Sequence, residues 1–455
     1  MPDPEPQPAA LLVAAPEGHP RPATTAVLWA FTALFAAVVG ANLVAASYSR
    51  FVADDFLLAV RVREYGVVGA AAWFYHNWTG RYSAIFLGDI AYALSPSARC
   101  GWYPAVLIAS WVAATFGCAR FRFDKLSALC LALGVPAVTL LLAPNVFESA
   151  YWVAGSSCYL AAVVGLTAAT ALMISSRTLL RTAACCAACV GVAGIHEAAA
   201  LILPTVVLSL MVVRGIQPKR GTLILAASVA GLLLVATAPG NRVRQSSFTH
   251  HVTLAFAATS SSLDMQAFLS QTATMAVTHD APLAPLHPPG SGWALLSLAA
   301  IAALIASRSQ VNISPKLLLC ALICGLYAMW VSFFVCRYGT GSPIPDRSVI
   351  IPVLALVALT AMIGFYTGQL LRSTRAERAA IVLSLVCAAL ASTPIASNFA
   401  RPAAMRSFAA GWDSEASRIQ RGGAITKTYA NPGNPGSEYT SWQVTAERQF
   451  YGRRE

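Results

Sequence analysis

Asp54 and Asp55 stand side by side just past the first long apolar run, in a chain whose acids mostly keep away from its apolar segments. A carboxylate pair can do proton chemistry: one member takes the proton of an attacking hydroxyl. The other can orient that hydroxyl, raise its neighbour's pKa by like-charge repulsion, or help hold a divalent ion such as Mg or Mn. Asp55 is also a suitable N-cap for a helix starting at Phe56, which is worth about 0.5–2 kcal/mol. Capping accounts for one aspartate and not for two, and Asp54 is the preferred base. Later in the chain, Arg242, Arg244, Arg337 and Arg347 flank apolar runs. A guanidinium donates two parallel hydrogen bonds to a phosphate and keeps its charge, so these four are the candidate anion-binding set. Solvation of a loop is the alternative role for each.

A second group of residues suits a polyhydroxylated ligand: His76, Trp78 and Arg81, then Glu148, Tyr151 and Trp152, then His196, Glu197 and Asn241. Aromatic rings stack on sugar faces, although they also mark membrane interfaces. His196-Glu197 lies in an apolar stretch, where such groups are costly unless paired or functional. It is either a sugar contact or a satisfied structural pair. His250-His251, His279-Asp280 and His287 lack metal-ligand spacing, and Cys185-Cys186-Ala187-Ala188-Cys189 lacks the polar setting of a metal site. No metal is expected apart from a divalent ion at Asp54 and Asp55.

The elements that must position these groups are membrane helices. Of 455 residues, 57% are hydrophobic and 11% charged, which excludes a soluble domain of this size. With about 20 apolar residues per crossing, about eleven spans fall near 27–49, 102–119, 126–143, 158–176, 181–196, 198–213, 221–238, 292–307, 317–336, 348–371 and 379–397. The expected fold class is an all-α polytopic membrane protein. Residues 1–26 read as a disordered cytoplasmic tail, 27–397 as the transmembrane domain and 398–455 as a small extracytoplasmic region. With the N-terminus cytoplasmic, every inner loop is basic: Arg120, Arg122 and Lys125; Arg177 and Arg181; Arg214, Lys219 and Arg220; Arg308 and Lys316; Arg372, Arg375 and Arg378. The formal charge of +12 is thus spread over membrane loops and calls for no nucleic-acid partner.

This scheme requires that residues 56–75 and 82–94, within the first outer loop 50–101, lie along the interface as amphipathic helices. If 82–94 crossed, the Arg120–Lys125 cluster would fall outside. The candidate residues then gather at the outer face, including those of the long loop 239–291. Acids, arginines and aromatics at one membrane face make a site for an amphiphile with an anionic head.

At these residues the chain resembles the GT-C glycosyltransferases, and more narrowly a group of bacterial multi-pass proteins related to O-antigen glucosyltransferases and arabinofuranosyltransferases. The resemblance is carried by Asp54-Asp55, by the Trp73 to Arg81 stretch closing on Gly-Arg, and by Glu148 to Gly155 as ES.YW..G. Pro239 to Arg244 resembles PGN..R, and Pro345-Asp346-Arg347-Ser348 a late Pro-x-Arg-Ser turn. In the tail, Gly411-Trp412-Asp413, Arg418, Ile419, Trp442 and Gln449-Phe450-Tyr451-Gly452 also fit. The resemblance implies a GT-C-like fold in a bacterial inner membrane. It implies an inverting transfer of a pentofuranose such as arabinofuranose, or of a hexose such as glucose, from a polyprenyl-phosphate donor. The acceptor would be an envelope glycan, glycoprotein or surface polymer, with membrane lipids as the other partners. The region 398–455 is too small for the soluble domain of larger relatives, which leaves the acceptor open. Two other classes remain: an O-antigen polymerase or ligase centred on Arg242, Arg244, His250 and His251, and a lipid-linked sugar flippase or transporter. A transporter predicts internal repeats and midplane charges, and neither stands out.

Overall fold

The computed structural model describes residues 22–175, 178–246, 252–275, 290–309, 312–370, 372–421 and 441–451. Among these, all regular structure is helical, with one isolated antiparallel bridge between Arg50 and Arg99. The helices are α1 Pro22–Ser47, α2 Asp54–Asn77, α3 Tyr82–Ala93, α4 Trp102–Arg120 and α5 Lys125–Leu142. A single turn α6 Val153–Gly155 leads into α7 Ala161–Ile174, followed by α8 Leu179–Ala193, α9 Glu197–Val212, α10 Pro218–Ala236 and the short α11 Pro239–Ser246. Then come α12 Leu254–Met275, α13 Ser291–Arg308, α14 Pro315–Thr340, α15 Ile350–Leu370, α16 Thr374–Leu390, α17 Ser392–Gln420 and α18 Ser441–Phe450.

Among the described residues, eight helices are long and apolar enough to cross a membrane, or nine if α16 and α17 form one broken span. That is fewer than the eleven spans the sequence predicts. α8 and α9 have 15 and 16 residues; at about 1.5 Å per residue each falls short of a hydrocarbon core about 30 Å thick. The span expected at 379–397 is bent by 53° between α16 and α17. Two boundaries also move. α1 begins at Pro22, so residues 22–26 belong to the helix, while residues 1–21 of the expected tail lie outside the described residues. Asn398 is no boundary: it sits buried within α17 and accepts from Asn42 Nδ2 of α1 at 2.8 Å.

The expected loop 239–291 carries α11 and α12, while His250, His251, His279 and His287 lie outside the described residues. α3, with 12 residues, rises about 18 Å, too little for a crossing. α2 is interrupted at Gly66, whose φ of 68° and ψ of 171° leave helical geometry. Glycine takes that backbone without the penalty a Cβ would bring.

Side-chain ties show which helix ends lie together. Arg308 at the end of α13 donates to Thr25 of α1 at 3.4 Å, and Thr24 donates to Glu377 of α16. Arg220 of α10 donates to the Ser175 and Leu172 carbonyls, at 3.0 and 2.8 Å, where α7 ends. Gln369 near the end of α15 bonds the Ile313 backbone ahead of α14. The basic connections of these helices therefore meet at one end of the bundle. The first loop, the end of α5 and the Asp346–Ser348 turn lie at the other.

Candidate active site

The segment between α1 and α2 is held before it delivers its aspartates. Arg50 makes a two-pronged ion pair with Asp413 of α17 at 2.9 and 3.0 Å, and the Phe51 carbonyl accepts from Trp412 Nε1 at 2.9 Å. Ala53 then adopts φ 47° and ψ −114°, a strained backbone for a residue with a Cβ, of a kind that gathers at functional sites. α2 starts at Asp54 with no side-chain cap, so Asp55 is not the N-cap.

Asp55 is fully buried, and its carboxylate accepts from Val52 N at 3.0 Å, Tyr92 Oη at 2.7 Å and Ala154 N at 3.1 Å. Burial pushes its carboxyl up to about 7, against these three hydrogen bonds, which favour the ionised form. Asp55 is thus a knot joining three segments. Asp54 instead lines a cavity of about 530 Å³.

Three cations share that cavity: Arg81 from the α2–α3 turn, Arg244 from α11 and Arg347 from the turn before α15 all line it. Each is oriented by an acid. Glu197, at the start of α9, takes Arg81 at 2.8 Å and Arg244 at 3.2 Å. Glu148 accepts from Arg347 at 3.3 Å, and Tyr159 Oη accepts from Arg347 Nε at 3.3 Å. Buried Arg244 Nε has no hydrogen-bond partner among the described residues. The cavity also has apolar lining: Leu57, Leu58, Trp73, Phe74, Ile85 and Trp78. Trp152 closes the cavity beside Arg347 and donates to the Val52 carbonyl at 3.2 Å.

Two π-helical turns, Phe147–Tyr151 and Ser156–Leu160, flank an extended Trp152. Such turns are rare and recur at functional sites. They present Glu148, Trp152 and Tyr159 toward Arg347. Gly155 is needed between them, because a Cβ there would lie 1.8 Å from the Glu148 carbonyl. α11 reaches the site through close glycine contacts: a Cβ on Gly240 would meet Thr79 N at 2.5 Å and Trp78 N at 2.6 Å. Asn241 accepts from Gly80 N at 2.8 Å and donates to the Val235 carbonyl at 2.7 Å. Its role is to brace the turn that carries Arg81.

The structure therefore brings Asp54, Trp78, Arg81, Trp152, Arg244 and Arg347 to the cavity, with Asp55, Glu148, Glu197 and Asn241 supporting them from behind. His196 also stands behind as the N-cap of α9, its Nδ1 accepting from Ala198 N at 3.1 Å.

Four expected residues do not join the site. Arg242 is exposed and off the cavity wall, because two helical positions turn it about 200° from Arg244. Arg337 is claimed by Asp264 of α12, at 2.6 and 2.8 Å. The Tyr151 hydroxyl donates to Asn42 Oδ1 at 2.6 Å, inside a buried network with Asn398 and Arg401. His76 is exposed and does not line the cavity.

Residues not anticipated are Tyr92, which fixes Asp55, and Tyr159, which fixes Arg347. The polar run Ser156-Ser157-Cys158-Tyr159 in an otherwise apolar segment was the available signal for the second. Asp89 was also missed. It is fully buried one residue from the cavity-lining Gly88, and neither carboxylate oxygen has a hydrogen-bond partner among the described residues. Burial pushes its carboxyl up to about 8.

Three protein donors occupy most of the acceptor positions of Asp55, which leaves one lone pair on Oδ2 for a divalent ion shared with Asp54. Among the described residues no cluster of three or more His, Cys, Asp or Glu gathers. Neither a scan against protein-family models nor a search of curated proteins returns a match for this chain.

Proposed function

We propose that this chain is an integral membrane glycosyltransferase of the GT-C type, moving a sugar from a polyprenyl-phosphate donor to an envelope glycan or surface polymer. The reaction takes place at the extracytoplasmic face of a bacterial inner membrane, with the N-terminus inside and the C-terminal helices outside. One observation carries this reading: a single cavity, at the end of the bundle away from the basic connections, is lined by Asp54, by three arginines from distant segments and by apolar side chains. An amphiphile with a phosphate head needs those three surfaces.

In the reaction, the acceptor hydroxyl attacks the anomeric carbon while the Asp54 carboxylate takes its proton. The bond from that carbon to the phosphate oxygen breaks, and its electron pair leaves on the lipid phosphate. Arg81, Arg244 and Arg347 stabilise the departing charge; their supporting acids fix them in place, so they need not reorganise during transfer. Asp55 is a positioning residue, since its oxygens tie Val52, Tyr92 and Ala154 around the base. Trp78 and Trp152 offer aromatic faces for the sugar. The transferred sugar is a pentofuranose or a hexose. The test is incubation of purified protein with radiolabelled polyprenyl-phosphate sugars of both kinds. Release of lipid phosphate from one of them is expected, and release from none would overturn the reading.

A further inference from the structure

We infer that a second cavity, of about 440 Å³, on the other side of the aspartate-bearing segment binds an acidic saccharide, one carrying a carboxylate or a phosphate ester. Its role as a distal subsite for the acceptor rests on the transferase reading; its ligand chemistry does not. The cavity lies between α2, the loop after α3, α17 and α18, and its lining includes Arg63, Arg99, Trp412, Asp413, Gln420 and Tyr451.

Charge selects the class of ligand. Arg63 donates to the Phe450 and Pro96 carbonyls at 2.6 and 3.4 Å and lies 4.0 Å over the Phe450 ring, so its contacts are all neutral. Arg99 reaches one oxygen of Asp413 at 3.2 Å, but Arg50 already holds both. Glu415 is paired with Arg418 and Glu64 with Arg61. Among the described residues, the lining itself holds two arginines, Arg63 and Arg99, against one carboxylate, Asp413, which Arg50 from outside the lining already neutralises; Glu447 of α18 is buried and off the lining. Gln420, Ser97 and Ser417 add neutral groups that suit hydroxyls, and Tyr451 adds a ring for a sugar face. Among the described residues only Pro96 and Ala416 give this cavity aliphatic carbon, in contrast to the Leu57, Leu58 and Ile85 of the first, so an acyl chain finds little surface there.

The second cavity is tied to the segment ahead of Asp54 through two of its lining residues. Asp54 opens on the first, while Arg50 and Phe51, a few residues earlier, are bonded to Asp413 and Trp412 of the second. Phe450 packs edge-on against Phe51 and Phe56 at 5.7 and 5.4 Å. An occupant of the second cavity therefore bears on the segment that delivers the base through Asp413, Trp412 and Phe450.

The test is equilibrium binding of labelled trisaccharides to the full chain in nanodiscs of zwitterionic lipid, with no donor present. The probes are trigalacturonate, a phosphorylated trisaccharide and neutral maltotriose. An acidic probe is expected to bind at least about tenfold more tightly than the neutral one, and Arg99→Gln to weaken it about tenfold, the loss of a charge-assisted bond. The Arg99 side chain is 63% exposed, so its removal spares the fold; Arg63→Gln is the second variant. Arg347→Gln, in the first cavity, should leave this binding unchanged. Equal binding of all three probes, indifference to both Arg99→Gln and Arg63→Gln, or loss in Arg347→Gln alone would overturn the site. So would displacement of the sugar by anionic phospholipid in the nanodisc, which would mark a headgroup pocket. Binding as expected without any donor turnover would leave the site standing and remove only its assigned role.

Discussion

A base must be reachable by the hydroxyl it deprotonates, and a carboxylate whose oxygens already accept three hydrogen bonds is poorly placed for that. Asp55 accepts from Val52, Tyr92 and Ala154, whereas Asp54 lines the cavity. Replacing Asp55 by Asn turns one acceptor oxygen into a donor facing other donors. Asp55→Asn is therefore expected to lower both turnover and unfolding temperature, measured side by side, while a pure base would lower turnover alone. Asp89 gives a pH prediction. Its folded pKa is raised to about 8 from 3.8, so its contribution to stability is full below the unfolded value and is lost as pH rises through about 8. Asp55 has the same sign, with its loss complete near 7. Asp89→Asn removes its share of this loss. The variant should unfold at a temperature higher by roughly 2–4 °C at pH 8, with the gain vanishing toward pH 4; thermal unfolding across pH checks it. The aspartate pair was legible because two adjacent acids at the end of an apolar run are costly without a use. Arg337 was misread because its partner, Asp264, sits on a helix in what read as a loop.

At the scale of elements, the site depends on irregular backbone that periodicity does not reveal. The π-helical turns flanking Trp152 change which side chains face the cavity, and so Tyr151 joins Asn42 while Tyr159 joins Arg347. The short motif from Glu148 to Gly155 marked the right region, and the direction of each side chain within it was set by hydrogen bonding. α11 shows the same limit. Pro239-Gly240-Asn241 opens a short helix, and only its docking against the end of α2 separates Arg244 from Arg242. Gly240→Ala would drive a Cβ into the Thr79 and Trp78 amides, pushing α11 and Arg244 outward. Steady-state kinetics should show donor KM raised about tenfold, with the spans still folded. An unchanged KM would mean that Arg244 does not bind the donor.

For the whole molecule, the alternation of basic and site-bearing ends was readable from charge and apolar length alone. The number of crossings was less so, because α8 and α9 are short and α16 bends into α17. The C-terminal helices were the larger surprise: α17 and α18 clamp the segment ahead of Asp54 through Trp412, Asp413 and Phe450. Orientation is open to labelling. Native Cys100 is fully buried and silent, whereas Leu94 and Phe121 are 65% and 46% exposed at opposite ends. In right-side-out vesicles, an impermeant maleimide should modify Leu94→Cys directly and Phe121→Cys only after permeabilisation. The reverse pattern would place the cavity on the cytoplasmic side. The most direct measurement compares wild type with Asp54→Asn for acceptor-dependent release of polyprenyl phosphate from a labelled donor. Release by the wild type and a loss of about 10²-fold or more in the variant, with donor binding kept, is the expected result. A variant that turns over at the wild-type rate would contradict the assignment of Asp54 as the base.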